Sequence, residues 1–332
     1  MTVRVLGTAT LALGVAGIVH AQGTLPPIMR GANVIQTSSA PLGGARSHAS
    51  LERLRALGAN AVTLSPFLYQ SSPGSRTVVH GDAVSDAQLV AGIRDAHRLG
   101  FVVLVKPHIW VPGHWAGEVA MSSTDDWTRW FGSYTRELVR YAAIAQSEGA
   151  EVFVIGVELE KTIARPEWLE VVRAVRGVYR GRVTYVAHGL DELPRVPFWS
   201  QLDLVAISSY PVFPADTSEA ALAGVVNATV ESMRRFALRT GKPILLAEVG
   251  LRSARDAQLK PWESAEERVA PPDELIQARV LRLWLRATSA KPFIGTLVWR
   301  WLTDPDAGGP RDTDFTPQHK LAEGVLMAGW RP

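Results

Sequence analysis

The chain of 332 residues contains no cysteine. This absence excludes disulfide scaffolds, thiolate metal sites and cysteine nucleophiles together. A strong charge of one sign is missing as well, because 35 Lys and Arg residues oppose 32 Asp and Glu residues and leave a net charge of +3. So small a net charge gives no reason to expect a polyanion as a partner. Low-complexity runs are also missing, since the 28 Gly and 21 Pro residues are spread along the chain.

The chain is rich in apolar residues and in tryptophan. Apolar residues make up 47% of the sequence and charged residues 20%, which is typical of a globular protein with a packed core. The notable excess is tryptophan, with 11 residues. Carbohydrate sites use flat apolar rings, so this excess favours such a site, although a large core also consumes tryptophan.

The first 21 residues have the pattern of a secretory signal peptide. Arg4 precedes an uncharged apolar stretch over residues 5–19, and small or short residues lie before a cleavage site after Ala21. The stretch is shorter than the ~20 residues that a membrane span needs, which favours a cleaved signal over an uncleaved anchor. We therefore expect a mature domain over residues 22–332, secreted or periplasmic and free of the membrane.

Beyond Pro27 the sequence alternates short apolar runs with amphipathic stretches. The runs are rich in Val, Ile and Leu without polar alternation, which is typical of parallel strands buried on both faces. They occupy residues 31–35, 61–66, 102–107, 152–157, 183–187, 204–209, 244–248 and 296–299. The stretches between them predict helices over residues 48–57, 85–99, 124–148, 168–179, 218–239 and 272–288.

Eight strand-then-helix units in about 300 residues predict a single (β/α)8 TIM barrel of the α/β class. The alternative is a doubly wound open sheet, which would be expected to carry a glycine-rich fingerprint after its first strand. The candidate loop, residues 40–45, has neither G-x-G-x-x-G nor a P-loop lysine. We therefore expect one barrel, with its site at the carboxyl ends of the strands.

Two of the predicted strands end in a carboxylate, the fourth at Glu158 and the seventh at Glu248. An acid at the end of a buried strand costs desolvation unless it is paired or used in chemistry. A glycosidase needs two carboxylates, because one donates a proton and the other attacks or stabilises the anomeric carbon. We expect the less polar surroundings at Glu158, so that its proton is held near neutral pH. Glu160 competes for this role, but its place beside Lys161 predicts a solvated pair.

Six short motifs occur in order at the predicted strand ends. They are Lys106-Pro107-His108, Gly156-x-Glu158, Ser208-Ser209-Tyr210-Pro211, Ala247-Glu248-Val249-Gly250, Val298-Trp299-Arg300-Trp301 and residues 312–317. Together they resemble the retaining clan A glycoside hydrolases and, within that clan, glycoside hydrolase family 113, the β-mannanase-type barrels. The resemblance covers residues 31–328, nearly the whole expected mature chain.

This resemblance implies endo-β-1,4-mannanase activity with retention of configuration. It assigns the acid/base role to Glu158 and the nucleophile role to Glu248. The chain departs from the clan at Val157, where most members carry an Asn that contacts the sugar 2-OH. Valine cannot make that contact, so the choice between mannan and another β-linked polysaccharide stays open.

Aromatic residues at the ends of the later strands are candidates for the rest of the site. Tyr210 ends the sixth strand, from which its phenol can donate to Glu248 and keep that carboxylate ionised. Trp299 and Trp301 alternate with Arg300, so both rings are expected to face the same way. One of them would form the floor on which a sugar stacks, whereas plain barrel filling is the alternative for either.

Four further polar or aromatic candidates come from the first and third strands. His108 and Trp110 alternate after the third strand and could bind sugar hydroxyls and a ring face. Lys106 ends a buried strand and needs a partner, which we expect to be a carboxylate of the site. Asn33 offers its amide to a hydroxyl or satisfies backbone groups, and both interpretations stay open.

Two other classes of function compete with a glycosidase. A metal-dependent barrel hydrolase could use His108 and His188, which both end strands, but the first strand lacks the usual His-x-His pair. A non-catalytic glycan-binding barrel would keep the tryptophans and lose one Glu, whereas both Glu are present. We therefore expect no cofactor and no metal, a polysaccharide or oligosaccharide substrate, and a monomer.

Overall fold

The computed structural model describes residues 25–331. The predicted signal peptide, residues 1–21, lies outside the described residues. Within residues 25–331 no helix is long and apolar enough to cross a membrane.

Eleven strands and eight helices make up the described chain. In order they are β1 (Met29–Ile35), α1 (Ala45–Ala56), β2 (Ala61–Leu64), β3 (Phe67–Tyr69), β4 (Val79–His80), α2 (Asp86–Arg98), β5 (Val102–Val105), β6 (His108–Trp110), α3 (Thr124–Ser147), β7 (Val152–Val157), α4 (Trp168–Val178), β8 (Arg182–His188), α5 (Gly189–Glu192), β9 (Val205–Ser209), α6 (Glu219–Thr240), β10 (Ile244–Val249), α7 (Glu274–Ala287), β11 (Phe293–Leu302) and α8 (Leu321–Trp330).

Eight of these strands close into a parallel barrel in the order β1-β11-β10-β9-β8-β7-β5-β2. The predicted (β/α)8 TIM barrel is confirmed. Most of the predicted strands and helices differ from the observed ones by one or two residues at their ends, and β7 has the predicted bounds. The helix α7 begins two residues later than predicted because Asp273 caps it, its Oδ1 accepting from the backbone N–H of Leu275 at 3.1 Å and of Ile276 at 3.2 Å.

A small sheet that the sequence did not predict extends the barrel on one side. Its strand order is β4-β3-β6, with β3 and β6 parallel. Pro66 and Pro107 separate it from β2 and β5, because a proline has no N–H to continue a ladder. The chain pairing continues across this break, since His108 N donates to the Pro66 carbonyl at 3.1 Å. Two barrel strands thus continue beyond the rim of the mouth.

The core has two layers, one inside the barrel and one between the strands and the helices. The inner layer is aliphatic and includes Val154, Val157, Ala206 and Leu245. The outer layer takes up much of the tryptophan, since Trp130, Trp168, Trp284, Trp301 and Trp330 are each less than 2% exposed. The tryptophan excess therefore reflects the core more than a sugar-binding surface.

Candidate active site

The side chains that the sequence places at strand ends converge at the carboxyl end of the barrel. The group consists of Lys106, His108, Glu158, His188, Ser208, Tyr210, Glu248 and Trp299. These eight residues are called the mouth cluster below.

Both carboxylates of the mouth cluster follow an irregularity in their strand. Between Val154 and Val157, β7 has one residue more than its neighbour β8. Between Leu246 and Glu248, β10 likewise has one residue more than β9. Such bulges bend a strand and re-aim its side chains, and they are common beside active sites. Each acid therefore stands where a regular strand would have presented the opposite face.

Glu158 has a backbone conformation that few side-chain-bearing residues adopt. Its φ is 53°, in the left-handed region. That region costs about 1–2 kcal/mol for a residue with a Cβ, so neighbouring contacts must hold it. The backbone N–H of Glu158 donates to the Val186 carbonyl at 2.9 Å, and the N–H of Leu159 donates to the Tyr185 hydroxyl at 2.8 Å.

The carboxylate of Glu158 is surrounded by two hydrogen-bond donors and an imidazole. Trp115 Nε1 donates to Oε2 at 2.8 Å, and Ser208 Oγ donates to Oε1. His188 Nδ1 lies 3.1 Å from Oε1, a charge contact without good hydrogen-bond alignment. Burial raises the pKa of Glu158, but His188, Ser208 and Trp115 outweigh it and lower that pKa to about 2. The expectation of less polar surroundings at Glu158 is therefore wrong.

The proton that belongs to this pair rests on His188. Burial lowers the pKa of His188, but the carboxylates of Glu158, Glu192 and Glu160 together raise it above the ordinary value. Moving that proton the 3.1 Å to Glu158 would leave a neutral imidazole and a neutral carboxylic acid. When the pair holds one proton, that proton is therefore on His188, from which a short transfer would protonate Glu158.

Glu248 has different neighbours, although it is as deeply buried. Lys106 Nζ donates to its Oε1, which confirms the prediction that Lys106 finds a carboxylate of the site. The Tyr210 hydroxyl donates to Oε2 at 3.4 Å, a long contact. Burial and the charge of Glu248 raise the pKa of Tyr210 well above 10, so the phenol acts only as a donor. An ammonium ion buried against a carboxylate favours the ionised acid.

Two more of the predicted residues line the mouth. His108 Nδ1 lies 3.0 Å from the Ile109 carbonyl, so this nitrogen carries the proton and Nε2 is an acceptor. Burial lowers the pKa of His108, and the ring is therefore neutral. Trp110 is 57% exposed on β6, edge-on to Phe67 with 6.5 Å between ring centroids. Trp299 is partly buried, 5.1 Å from Lys106 Nζ to its ring centroid.

The structure keeps Trp301 and Asn33 away from any space that a sugar could enter. Trp301 is 0% exposed, and its Nε1 donates to Ser50 Oγ at 2.8 Å. The expectation that both rings face the same way is wrong, because β11 carries one extra residue against β1 just before Trp301. Asn33 is also fully buried and donates from Nδ2 to the Ala247 carbonyl at 2.9 Å. It satisfies the backbone at the bulge that precedes Glu248.

Three neighbours of Glu158 were not assigned to it from the sequence. The sequence places Ser208 in the motif of residues 208–211 without a role, and it marks His188 only as a candidate metal ligand. Both end strands, so a search for polar residues at strand ends could have found them. Trp115 lies in the loop after β6, where no pattern marks it. Glu160, expected to pair with Lys161, instead accepts from Arg195 Nη1 at 2.6 Å.

No group of three or more His, Asp or Glu side chains that could hold a metal ion occurs within residues 25–331. His108 and His188, the ligands that a metal hydrolase would need, face other partners: the Ile109 carbonyl and the Glu158 carboxylate. What the mouth cluster offers is acid–base and nucleophilic chemistry by two unlike carboxylates.

Comparison with known proteins points to one family. Residues 37–320 match the model of Glycoside Hydrolase Family 113. No protein of curated function matches the sequence.

Several solved structures share the fold. A GH113 β-mannanase from Alicyclobacillus acidocaldarius, solved with ManMIm bound, superposes with a TM-score of 0.81 at 26% identity over 92% of this chain and 97% of that one. A further GH113 β-1,4-mannanase has a TM-score of 0.81 at 24% identity over 92% and 99% of the two chains. A β-glucuronidase from Ruminococcus gnavus shares the barrel with a TM-score of 0.63 at 12% identity, over 92% of this chain and 50% of that one.

Proposed function

The chain belongs to glycoside hydrolase family 113, and from that premise we propose that it cleaves β-1,4-mannan internally with retention of configuration. Glu158 is the acid/base and Glu248 the nucleophile of a double displacement. The observation that carries this assignment is that the two buried carboxylates contact different kinds of side chain. Glu248 pairs with the ammonium of Lys106, whereas Glu158 faces the titratable imidazole of His188.

In the first step Glu248 attacks the anomeric carbon and the glycosidic bond breaks. Lys106 and Tyr210 hold its carboxylate in place through one oxygen each. The leaving oxygen takes a proton from Glu158, which draws on the proton it shares with His188. A bound sugar excludes water from the mouth, and this adds to the burial that already raises the pKa of Glu158. The products of the step are a glycosyl ester of Glu248 and a free alcohol.

In the second step Glu158 acts as a base. It accepts a proton from a water molecule as the water oxygen attacks the anomeric carbon, and the bond to Glu248 breaks. The proton returns to the Glu158–His188 pair, which restores the starting state. Two inversions at one carbon give a product of retained configuration.

The mouth also supports a carbohydrate substrate. His108 Nε2 is free to accept from a sugar hydroxyl, since Nδ1 is engaged by the Ile109 carbonyl. The exposed ring of Trp110 offers a flat apolar face at the rim.

Another β-linked polysaccharide is the second candidate, and Val157 favours it. This residue is 2% exposed and packs in the inner layer of the barrel, so it makes no contact with a sugar hydroxyl.

The deciding experiment is an assay of the purified protein on β-mannan, β-glucan, xylan and bacterial exopolysaccharides. We expect oligosaccharides from β-mannan, whose first-formed anomer, followed by NMR, keeps the β configuration. Cleavage of another polymer without cleavage of mannan would replace the substrate and keep the mechanism. A first-formed α anomer would contradict the double displacement.

We extend the proposal to export. The Arg4 and apolar pattern of residues 1–21 supports a mature protein that begins near Gln22 and acts in the periplasm or outside the cell. Sequencing the N-terminus of the protein from its host tests this, and an intact Met1 in the cytosolic fraction would contradict it.

A further inference from the structure

Behind Glu158 lies a buried pair of side chains that the mechanism above leaves unused. Tyr185, on β8, and Glu192, at the end of α5, are 0% and 1% exposed. The Tyr185 hydroxyl donates to Glu192 Oε1 at 2.7 Å. A buried carboxyl group needs such donors, because its desolvation is otherwise uncompensated.

Both oxygens of Glu192 connect to Glu158 through one intermediate. On one side, the Tyr185 hydroxyl accepts from the backbone N–H of Leu159 at 2.8 Å, directly after the left-handed Glu158. On the other side, Glu192 Oε2 accepts from the backbone N–H of His188, whose imidazole lies 3.1 Å from Glu158. One buried carboxylate thus holds both the backbone turn of the acid/base and its proton-sharing partner.

We infer that Glu192 is a positioning residue for Glu158, holding its backbone through Tyr185 and its imidazole partner through the main chain of His188. The inference rests on the acid/base role proposed for Glu158. A residue with a Cβ rarely adopts the left-handed conformation without support. The Tyr185 contact provides part of that support, beside the bond from the Glu158 N–H to the Val186 carbonyl, and so helps to keep the carboxylate in reach of Ser208 and Trp115.

Glu192 also acts on Glu158 through its charge. Burial raises the pKa of Glu192 to about 7, although Tyr185 and the His188 amide lower it. Its ionised form in turn raises the pKa of His188. Two further acids lie near His188 and Glu192. Glu160 forms an ion pair with Arg195 at 2.6 Å, and Asp191 directly precedes Glu192. Loss of the Glu192 charge should therefore let the Glu158–His188 pair release its proton at lower pH.

Two variants separate these effects. Glu192→Gln keeps an acceptor for the His188 amide and removes the charge, whereas Tyr185→Phe keeps the charge and removes the bond to the Leu159 amide. Glu151→Gln is the matched control, because Glu151 is also a buried carboxylate that accepts from a backbone N–H, that of Val103 at 2.8 Å, and faces a histidine. It precedes β7, however, whereas Glu192 follows β8.

The first measurement is kcat/KM across pH for two aryl β-glycosides, one with a 4-nitrophenyl and one with a 2,4-dinitrophenyl leaving group. A good leaving group needs no proton, so an effect that passes through Glu158 shows only on the poorer one. We expect both test variants to lose roughly 10-fold or more on the 4-nitrophenyl substrate and little on the other. In Glu192→Gln the basic limb of the profile should also move to lower pH, by roughly half a unit to one unit.

The second measurement is the NMR titration of the His188 imidazole, with its signal assigned by its loss in His188→Gln. Its midpoint should fall in Glu192→Gln and stay near the wild-type value in Tyr185→Phe. Glu151→Gln should change thermal stability only.

Equal losses on both substrates, with an unmoved basic limb and an unmoved His188 midpoint, would overturn the inference and leave Glu192 a structural residue. Because the titration needs no turnover, the two proposals can fail separately. If the wild type is inactive but the His188 midpoint falls in Glu192→Gln, the proposed function is contradicted. If the wild type is active but neither the His188 midpoint nor the basic limb moves in Glu192→Gln, the positioning role is contradicted.

Discussion

Glu158 and Glu248 are the same residue type, both buried and each placed after a strand bulge, yet their neighbours differ in kind. Glu248 accepts from an ammonium and a phenol, those of Lys106 and Tyr210. Glu158 is in contact with an indole, a hydroxyl and the imidazole of His188, whose pKa is raised by the neighbouring carboxylates. The difference teaches that two buried carboxylates are distinguished by the kind of group that each one contacts, and burial by itself does not distinguish them.

The largest loss of activity should come from replacing Glu248, the carboxylate that pairs with Lys106. Glu248→Gln leaves no nucleophile, so no glycosyl-enzyme can form and kcat should fall by at least about 10⁴-fold. Steady-state assays on polymer and on a dinitrophenyl glycoside should give equal losses, and azide should restore little. Glu160→Gln, which alters a rim carboxylate paired with Arg195, is the control and should keep near-normal activity. Full activity in Glu248→Gln would end the comparison.

The next effect should come from the acid with the titratable partner, and it should depend on the substrate. Glu158→Gln removes the proton donor, so turnover of polymer should fall by about 10²–10⁴-fold. The first step on a dinitrophenyl glycoside should survive, as a burst of dinitrophenol detects. Azide needs no base and should speed the second step with a β-glycosyl azide as product. Undiminished turnover of polymer would transfer the role to another acid, with Glu160 the first to test.

A smaller effect should follow when the cation is removed and the acid kept. Lys106→Met leaves a buried carboxylate without its charge partner, which typically costs about 3–5 kcal/mol in the free energy of unfolding. Denaturant titration measures this loss, and kcat should fall with it because Glu248 is no longer held. The control is Lys320→Met, since Lys320 is a buried lysine that donates to Asp312 at 2.6 Å outside the mouth cluster. That variant should lose stability and keep kcat once folded.

The smallest effect concerns the pH dependence of stability, which should differ between Glu158 and Glu192. Glu192 has its pKa raised from 4.5 to about 7, so between these values the folded state holds a proton that the unfolded chain has released. Its burial therefore destabilises the fold fully above pH 7, and this cost is relieved as pH falls toward 4.5. Relative to Glu192→Gln, the wild type should gain up to about 3 kcal/mol in the free energy of unfolding from pH 8 to pH 5.

Glu158 should show the opposite slope at lower pH. Its pKa is lowered from 4.5 to about 2, so its contribution to stability is present above 4.5 and lost as pH falls through 2. Denaturant titrations of the wild type, Glu192→Gln and Glu158→Gln, from pH 8 to pH 2, measure the pH range in which each carboxyl group changes the free energy of unfolding. A wild type and Glu192→Gln with parallel curves between pH 5 and 8 would show that Glu192 does not titrate there.

Much of this arrangement could be predicted from local sequence. The apolar runs predict eight parallel strands, because a strand buried on both faces needs a continuous set of Val, Ile and Leu. A carboxylate at the end of such a run is conspicuous for its desolvation, and both Glu158 and Glu248 stand out in this way. Lys106 is predicted to need a counter-charge for the same reason, and it has one.

The side of a strand to which each side chain points could not be predicted in the same way. Trp299 and Trp301 look equivalent by alternation, yet only Trp301 is fully buried, because an extra residue in β11 changes the register between them. A bulge depends on the neighbouring strand, and for β11 that neighbour is β1, more than 260 residues away in sequence. Strand periodicity contains no information about it.

The sequence by itself therefore determined the barrel, its unit order and the identity of the two acids, since these depend on burial patterns within single segments. Only the tertiary structure decided which acid has which partner. Lys106 and Glu248 are 142 residues apart in sequence, and Ser208 and Glu158 are 50 apart. Closing the barrel brings these pairs within hydrogen-bond reach, and the proton affinity of a carboxylate depends on those neighbours. The chemical difference between Glu158 and Glu248, on which their proposed roles rest, therefore arises only when the eight strands close.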